Sequence, residues 1–315
     1  MTIFNDISFY KNSITDTPCV LVLGDFDGVH LGHRKLINKA KEISVKTGCS
    51  IGVYTFNVNT KDYFGSNNFS RLTTDDEKNR IFEQLGVDFV CYDNFVSVKD
   101  FSPEEFIKYI VNKFNVLSVV CGENYTFGKG ACADSKRLLD LAKYENIGCY
   151  IIPILEIDGE SVSSTSIRHH IASGNIDRAT KLLGYRYFIN AEIIHGAHLG
   201  RKLGFPTINQ LDYDSKTIPK LGVYACVCII DGERYRAVSN VGVKPTVSSC
   251  KNPPVIFETH IIDYSGDLYG KCVTVEFCKM LREEQKFSSL DELHDNVIKN
   301  ISQTKELFNS GKILL

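Results

Sequence analysis

No apolar run in this sequence approaches the roughly 18 residues that a bilayer-crossing helix needs, so no membrane partner is expected. The chain opens Met1-Thr-Ile-Phe-Asn-Asp-Ile7, not on a basic segment followed by an apolar one. No secretory leader is therefore expected, and a cytoplasmic location is. Charge of one sign is also missing. Lys and Arg number 36 against 38 Asp and Glu, a net charge of −2. With no basic stripe and no helix-turn-helix pattern, nucleic acid is not an expected partner. No C-x-x-C occurs among the 11 cysteines. Their number is odd, and many sit in apolar runs (Cys19, Cys91, Cys121, Cys226, Cys228, Cys272, Cys278). Buried, reduced thiols explain this better than a disulfide framework or a zinc site. Internal repeats and long linkers are absent too.

What is present is ordinary globular material. The 315 residues suggest about two domains, and 43% hydrophobic with 23% charged residues suffices for real cores. The chain is organised around Val20-Leu-Val-Leu-Gly24-Asp25-Phe26-Asp27-Gly28-Val29-His30-Leu31-Gly32-His33. A short apolar run ends at a glycine, a polar glycine-rich turn follows, and an amphipathic pattern (Leu36, Ile37, Ala40, Ile43) begins at once. Strand, turn and helix in that order suit an anion at the helix N-terminus, where free N–H groups and the helix dipole point. An ordinary strand-to-helix turn has the same pattern, but two histidines at the helix mouth favour phosphate, since they can hydrogen-bond its oxygens or donate protons. A zinc site would need more ligands than nearby Asp25 and Asp27 supply.

The rest of the first half alternates short apolar strands with helices. Strands are expected at 19–24, 50–56, 87–92, 117–121 and 149–153. Helices are expected at 34–47, from Thr73-Thr74-Asp75 onward, from Ser102-Pro103-Glu104-Glu105 to about Phe114, and at 136–146. Asn57 to Asn68 reads as a polar loop. The pattern predicts a parallel, doubly wound α/β sheet, with Gly24–His33 and Gly122-Glu123-Asn124-Tyr125-Thr126-Phe127-Gly128-Lys129-Gly130 on one rim. Ser163-Ser164-Thr165-Ser166-Ile167-Arg168 then reads either as a plain capped helix or as a second phosphate site, followed by two helical segments split at Gly174. From Gly184 to about Phe277 strands and turns replace helices (187–194, 223–230, 234–241, 255–263, 272–277), with a hairpin at Asp231-Gly232. A small antiparallel barrel closed by a C-terminal helix from Ser288 or Ser289 is predicted. The boundary is placed between domains 1–184 and 185–315. Read alone, Glu258 in the apolar run Val255–His260 is as consistent with a strand residue facing water as with a functional one.

The motifs Gly24–His33, Gly122–Gly130, Ser163–Arg168, Gly174-Asn175 and Leu182-Leu-Gly184 stand in the first half. In the second stand His195-Gly196, Gly200-Arg-Lys-Leu-Gly-Phe-Pro-Thr-Ile-Asn209, Gly222-Val-Tyr224, Asn240-Val-Gly-Val-Lys-Pro-Thr246, Phe257-Glu-Thr-His260, Leu268-Tyr-Gly-Lys271, Arg282 and Lys286-Phe287. On these two ordered sets the chain, from about residue 18 to 302, resembles the bacterial bifunctional riboflavin kinase/FAD synthetase family. The resemblance implies an H-x-G-H nucleotidyltransferase-like Rossmann domain followed by a riboflavin kinase-like barrel. It implies riboflavin, FMN and ATP as ligands, with Mg²⁺ beside ATP in both reactions. For adenylyl transfer it implies ATP contacts from Gly24, Phe26, Asp27, Gly28, His30, His33, Asn124, Ser164, Thr165 and Arg168, with His30, His33 and Arg168 in catalytic roles. For the kinase it implies ATP contacts from Gly200, Arg201, Lys202, Gly204, Pro206 and Thr207, metal ligands Thr207 and Asn209, and Glu258 as general base. Flavin contacts fall to Tyr125, Asn240, Arg282 and Phe287. His195 and His198 form another H-x-x-H to which no role is given.

Three departures from the family pattern stand out. The His-Pro pair usual after the second strand is replaced by Asn57-Val58-Asn59-Thr60. Tyr125 stands where Phe is commoner, and Lys244 where Arg is. Two other readings follow: a riboflavin kinase with an impaired N-terminal half, and a non-catalytic flavin- or nucleotide-binding regulator. Self-association stays open between a monomer and weak association.

Overall fold

The structure, a computed structural model, describes residues 1–7, 15–57, 70–195, 204–211, 216–243 and 254–315. It divides into two compact units: Met1–Phe69 with Thr73–Ser164, and Ser70–Leu72 with Thr165–Leu315.

In the first unit the strands are β1 (Thr2–Asn5), β2 (Cys19–Leu23), β3 (Ser50–Phe56), β4 (Phe89–Asp93), β5 (Val116–Gly122) and β8 (Gly148–Ile152). Between β5 and β8 lies a short ribbon of β6 (Thr126–Phe127) and β7 (Ala133–Asp134), and after β8 a second of β9 (Glu156–Ile157) and β10 (Glu160–Ser161). The helices are α1 (Leu31–Thr47), α2 (Asp75–Gln84), α3 (Phe95–Val98), α4 (Pro103–Lys113) and α5 (Ser135–Tyr144). Sequence chemistry sets several of these ends. Thr74 and Glu77 form a capping box at the start of α2, and Ser102 with Glu105 does the same for α4, where Pro103 takes the first position.

The sheet is parallel throughout, in the order β1-β4-β3-β2-β5-β8. β2 and β4 are buried along their whole length, as expected for parallel strands covered on both faces. The chain runs β2, β3, β4 in one direction, then returns to place β5 on the other side of β2. The order therefore reverses between β2 and β5, the place where open α/β sheets bind ligands. The expected α/β fold is found. β1 was not anticipated; it is a four-residue edge strand, largely exposed, with no apolar pattern to announce it.

The second unit holds α6 (Ser164–Ala172, after its first residue), α7 (Ile176–Leu183), six strands and α8 (Leu290–Asn309). The strands are β11 (Phe188–Glu192), β12 (Thr207–Leu211), β13 (Gly222–Ile230), β14 (Glu233–Val243), β15 (Val255–Ile261) and β16 (Cys272–Glu283). They pair antiparallel in the order β11-β16-β13-β14-β15-β12. Asp231 and Gly232 turn the β13–β14 hairpin, both with positive φ (50° and 87°), as a two-residue hairpin turn requires. The end strands nearly close the barrel. Ile194 bridges Asn209, and the buried Gln210 amide donates to the Ala191 and Val273 carbonyls, each at 2.7 Å. Tyr224, Phe257 and Phe277 pack together as buried rings. On the other face, Ile301 of α8 packs against Val223, Val238 and Ile262. Residues 165–184 group with this unit through contacts such as Lys220 N–H to the Ile171 carbonyl (3.2 Å).

The ten described cysteines are free, and seven are buried. Cys272 departs from the expected burial: it is exposed because it opens β16, opposite the exposed Glu192 on the neighbouring strand. Among the described residues no helix is long and apolar enough to cross a membrane.

Candidate functional site

The first constellation is the turn between β2 and α1. It needs unusual backbone: φ is positive at Phe26 (57°), Gly28 (80°) and Val29 (34°), a conformation rare for side-chain-bearing residues and held only where surroundings over-determine it. Those surroundings are visible. Phe26 is fully buried, edge-on to Phe82 of α2 at 5.6 Å. Gly28 N–H donates to Thr73 Oγ1 (2.9 Å), and Thr73 N–H donates to Asp27 Oδ1 (3.2 Å). Thr55 Oγ1 donates to the Asp25 carbonyl (3.2 Å) and Ser164 Oγ to the Asp27 carbonyl (2.9 Å). Asp27 is buried, its carboxylate turned onto the Thr73 backbone. Gly24 leaves β2 hydrogen-bonded to the Tyr54 carbonyl (3.3 Å).

His30 caps α1, its Nδ1 accepting from His33 N–H at 3.3 Å. A neutral His30 therefore carries its proton on Nε2, where it can be offered to a ligand. The two imidazoles stack with centroids 3.7 Å apart. Burial, then the His30 ring, then the Lys78 ammonium hold the His33 pKa well below its ordinary value. His33 is thus neutral, and its Nδ1 is buried with no hydrogen-bond partner among the described residues. An unsatisfied buried nitrogen is costly; in the tautomer with its proton on Nδ1, His33 would be a donor for an anion at this helix N-terminus.

The Gly122–Gly130 segment leaves β5, the neighbour of β2, from the same edge of the sheet. A side chain at Gly122 would meet Asn124 Oδ1 at 2.9 Å, so glycine lets the Asn124 side chain fold back over the strand end. Asn124 itself is exposed. Tyr125 is half-buried, stacked on Phe127 at 5.9 Å, and burial raises its hydroxyl pKa. β2, β5 and their two loops therefore flank the point where strand order reverses. Thr165 and Arg168 belong to the second unit; Arg168 Nη2 lies 3.5 Å from Thr165 Oγ1, one turn away.

The second constellation lies on the barrel. Pairing aligns Asn209 with Glu258, Glu258 with Asn240, Asn240 with Val223, and Val223 with Arg282. Directly paired residues project to the same face, so four residues expected to act together form one rung across five strands. Thr207, two residues before Asn209, shares that face and pairs with His260. His260 Nδ1–H donates to the Pro206 carbonyl (2.9 Å), fixing the start of β12. Asn209 is buried and Glu258 reaches solvent. The protein around Glu258 still removes enough water to raise its carboxyl pKa. Arg282 lies 5.3 Å above the Phe287 ring, donates to the Glu283 carbonyl, and keeps a buried Nε–H with no acceptor among the described residues.

Two oxygen donors on this face of β12 suit a hard divalent ion. Thr207 and Asn209 are neutral, and no group of three or more His, Cys, Asp or Glu among the described residues could hold a metal alone. Such a pair fits an ion that takes its remaining ligands from phosphate and water.

Gly204 is exposed with φ of 81°. Gly200, Arg201, Lys202, His198 and Lys244 lie outside the described residues, as does all but the first residue of the Asn57–Asn68 loop. His195 stacks on Tyr269 at 4.0 Å.

Two residues beside the first site went unremarked in the sequence. Thr73 latches the turn, yet the Thr73-Thr74 pair reads only as a helix start; one threonine makes the cap, and the spare one was the signal. Lys78 is buried, paired with Asp75 at 2.8 Å and over the Tyr92 ring at 5.1 Å. A lysine one turn before Phe82, in the buried stripe of α2, was its signal.

The FAD synthetase family model matches residues 12–166 and the riboflavin kinase model residues 183–308. A Bacillus subtilis protein named bifunctional riboflavin kinase/FMN adenylyltransferase is 33% identical over 92% of this chain and 93% of its own. A Haemophilus influenzae protein of the same name is 33% identical over 93% of this chain and 95% of its own. A crystal structure from Streptococcus pneumoniae, described as a macrolide-efflux protein, covers 97% of this chain and 99% of its own at 29% identity, with a TM-score of 0.86. The efflux description belongs to that protein; its likeness to this chain is one of fold. With both matches in order and relatives spanning nearly the whole length, the chain belongs to the bifunctional riboflavin kinase/FMN adenylyltransferase family.

Proposed function

We propose that this chain phosphorylates riboflavin to FMN with ATP, and adenylylates FMN with a second ATP to give FAD and pyrophosphate. The observation that carries the reading is the rung Asn209–Glu258–Asn240, continued to Arg282. It sets a carboxylate with a raised pKa beside neutral oxygen donors, which a general base next to a metal–phosphate cluster requires.

In the kinase reaction Glu258 takes the proton of the ribityl 5′-hydroxyl as its oxygen attacks the γ-phosphorus of ATP, whose bond to the bridging oxygen breaks to release ADP. Thr207 and Asn209 would hold Mg²⁺, which when bound offsets phosphate charge. Gly200, Arg201, Lys202, Gly204 and Pro206 are assigned as contacts of the ATP that this reaction uses. Asn240, Arg282 and Phe287 receive the flavin.

In the second reaction the FMN phosphate attacks the α-phosphorus, so no protein nucleophile is needed. The transition state is stabilised by fixed donors: His30 through Nε2–H, His33, and the N-terminus of α1. Gly24, Phe26, Asp27 and Gly28 shape the turn. Asn124, Ser164, Thr165 and Arg168 complete the contacts to ATP, and Tyr125 contacts FMN. We assign residues 1–184 to adenylyl transfer and 185–315 to the kinase, and expect the protein to act in the cytoplasm.

Incubation with ATP, Mg²⁺ and either riboflavin or FMN, followed by chromatography of the flavins, tests the reading. FMN and FAD both form if it is right. FMN alone indicates an impaired N-terminal half, and neither indicates a binding protein without turnover.

A further inference from the structure

Gly242 lies inside β14, paired with Ile256. Glycine weakens a strand and often marks a place where a ligand or backbone comes close. Its backbone is not in the left-handed region, so conformation does not call for glycine. A Cβ there would lie 3.2 Å from Asn240 Nδ2 and 3.2 Å from Glu284 Oε1. Both obstacles are ends of side chains, not backbone, so sheet packing is not what keeps the residue small. An amide on the rung and a carboxylate just past the end of β16 are instead brought over one bare stretch of backbone.

The chemistry of the pair selects its ligand. An amide both donates and accepts, while a carboxylate only accepts. A group of hydroxyls matches both, whereas a phosphate beside Glu284 would be repelled. Glu258 sits one strand over from Asn240, about 5 Å away across the sheet, and Gly242 lies two residues further along, about 7 Å. A ribityl chain whose terminal hydroxyl meets Glu258 runs across this spacing.

We propose that Glu284 is a specificity-determining residue of the kinase site: its carboxylate, with the Asn240 amide, binds hydroxyls of the ribityl chain, and Gly242 leaves them room. This rests on the riboflavin kinase reading above. Steady-state kinetics of the full chain with riboflavin and its 2′-, 3′- and 4′-deoxy analogues compares wild type, Glu284→Ala, Glu284→Gln and Gly242→Ala. Glu284→Ala and Gly242→Ala raise KM for riboflavin about tenfold or more, with KM for ATP unchanged. Glu284→Gln falls between. One deoxy analogue abolishes the Glu284→Ala penalty, because the partner hydroxyl is already gone. Gly242→Ala keeps its Tm. Wild-type turnover with unchanged KM in the variants overturns this proposal alone, as does an equal penalty with every analogue. A fall in Tm of Gly242→Ala without a change in KM also overturns it. A wild type that fails to phosphorylate riboflavin overturns the kinase reading, and the proposal with it.

Discussion

The two units build their sites by opposite means. In the first, the site is a turn. Its geometry comes from backbone held at positive φ at Phe26, Gly28 and Val29, and the turn, the helix cap and the two histidines are contiguous in sequence. In the second, the site is a rung of regular strands. Its members come from β12, β14, β15 and β16, and their backbone is extended, with a shift of register between β13 and β16 beside Arg282. A turn can be deformed by releasing one latch, whereas a rung is changed mainly by replacing the group that does the chemistry.

That contrast can be broken or sharpened by experiment. The largest effect is expected from Glu258→Gln, which removes the proposed base and keeps a side chain of the same size. Riboflavin phosphorylation falls about 10²- to 10⁴-fold while FMN adenylylation continues; near-normal kinase turnover would refute the assignment. His30→Ala is next. It removes both a donor and the cap of α1, and FAD formation from FMN drops about 10²- to 10³-fold with the kinase spared. Equal loss of both activities would indicate misfolding instead.

Thr73→Val tests the latch. The substitution removes the hydroxyl to which Gly28 N–H donates, a loss of about 0.5–1.5 kcal/mol. KM for ATP in adenylylation rises about tenfold, and kinase kinetics do not change; an unaltered KM would mean that the turn holds its shape alone. The smallest effect is on pH dependence. Glu258 must be ionised to accept a proton, and burial raises its pKa. Kinase activity is therefore present above that raised pKa and lost as pH falls through it. The acid limb of kcat/KM should lie above the ordinary glutamate value of about 4.3; a limb at or below it would contradict the desolvated setting.

Local chemistry was legible in the sequence because its causes are local. The caps at Thr74 and Ser102, the turn at Asp231-Gly232 and the α/β-then-β order follow from neighbours in the chain. Gly24–His33 was readable for the same reason, since turn, cap and histidines are contiguous. Thr73 was harder, because its partners Asp27 and Gly28 are 45 or 46 residues away. The inward turn of Asp27 was equally hidden, as an exposed and a buried aspartate look the same in a glycine-rich turn. Cys272 misled because an apolar neighbourhood does not reveal which face of a strand end is covered.

The sequence by itself determined most of the longer strands and helices, that two kinds of domain follow one another, and that Thr207 and Asn209 share a strand face through the two-residue period. Tertiary structure alone decided that β5 returns beside β2, so that two loops meet at one switch point. It alone decided that Asn209, Glu258, Asn240 and Arg282 stand in register. Periodicity fixes the face on which a residue lies but not its partner across the sheet, because register depends on how whole strands slide until all their buried faces match.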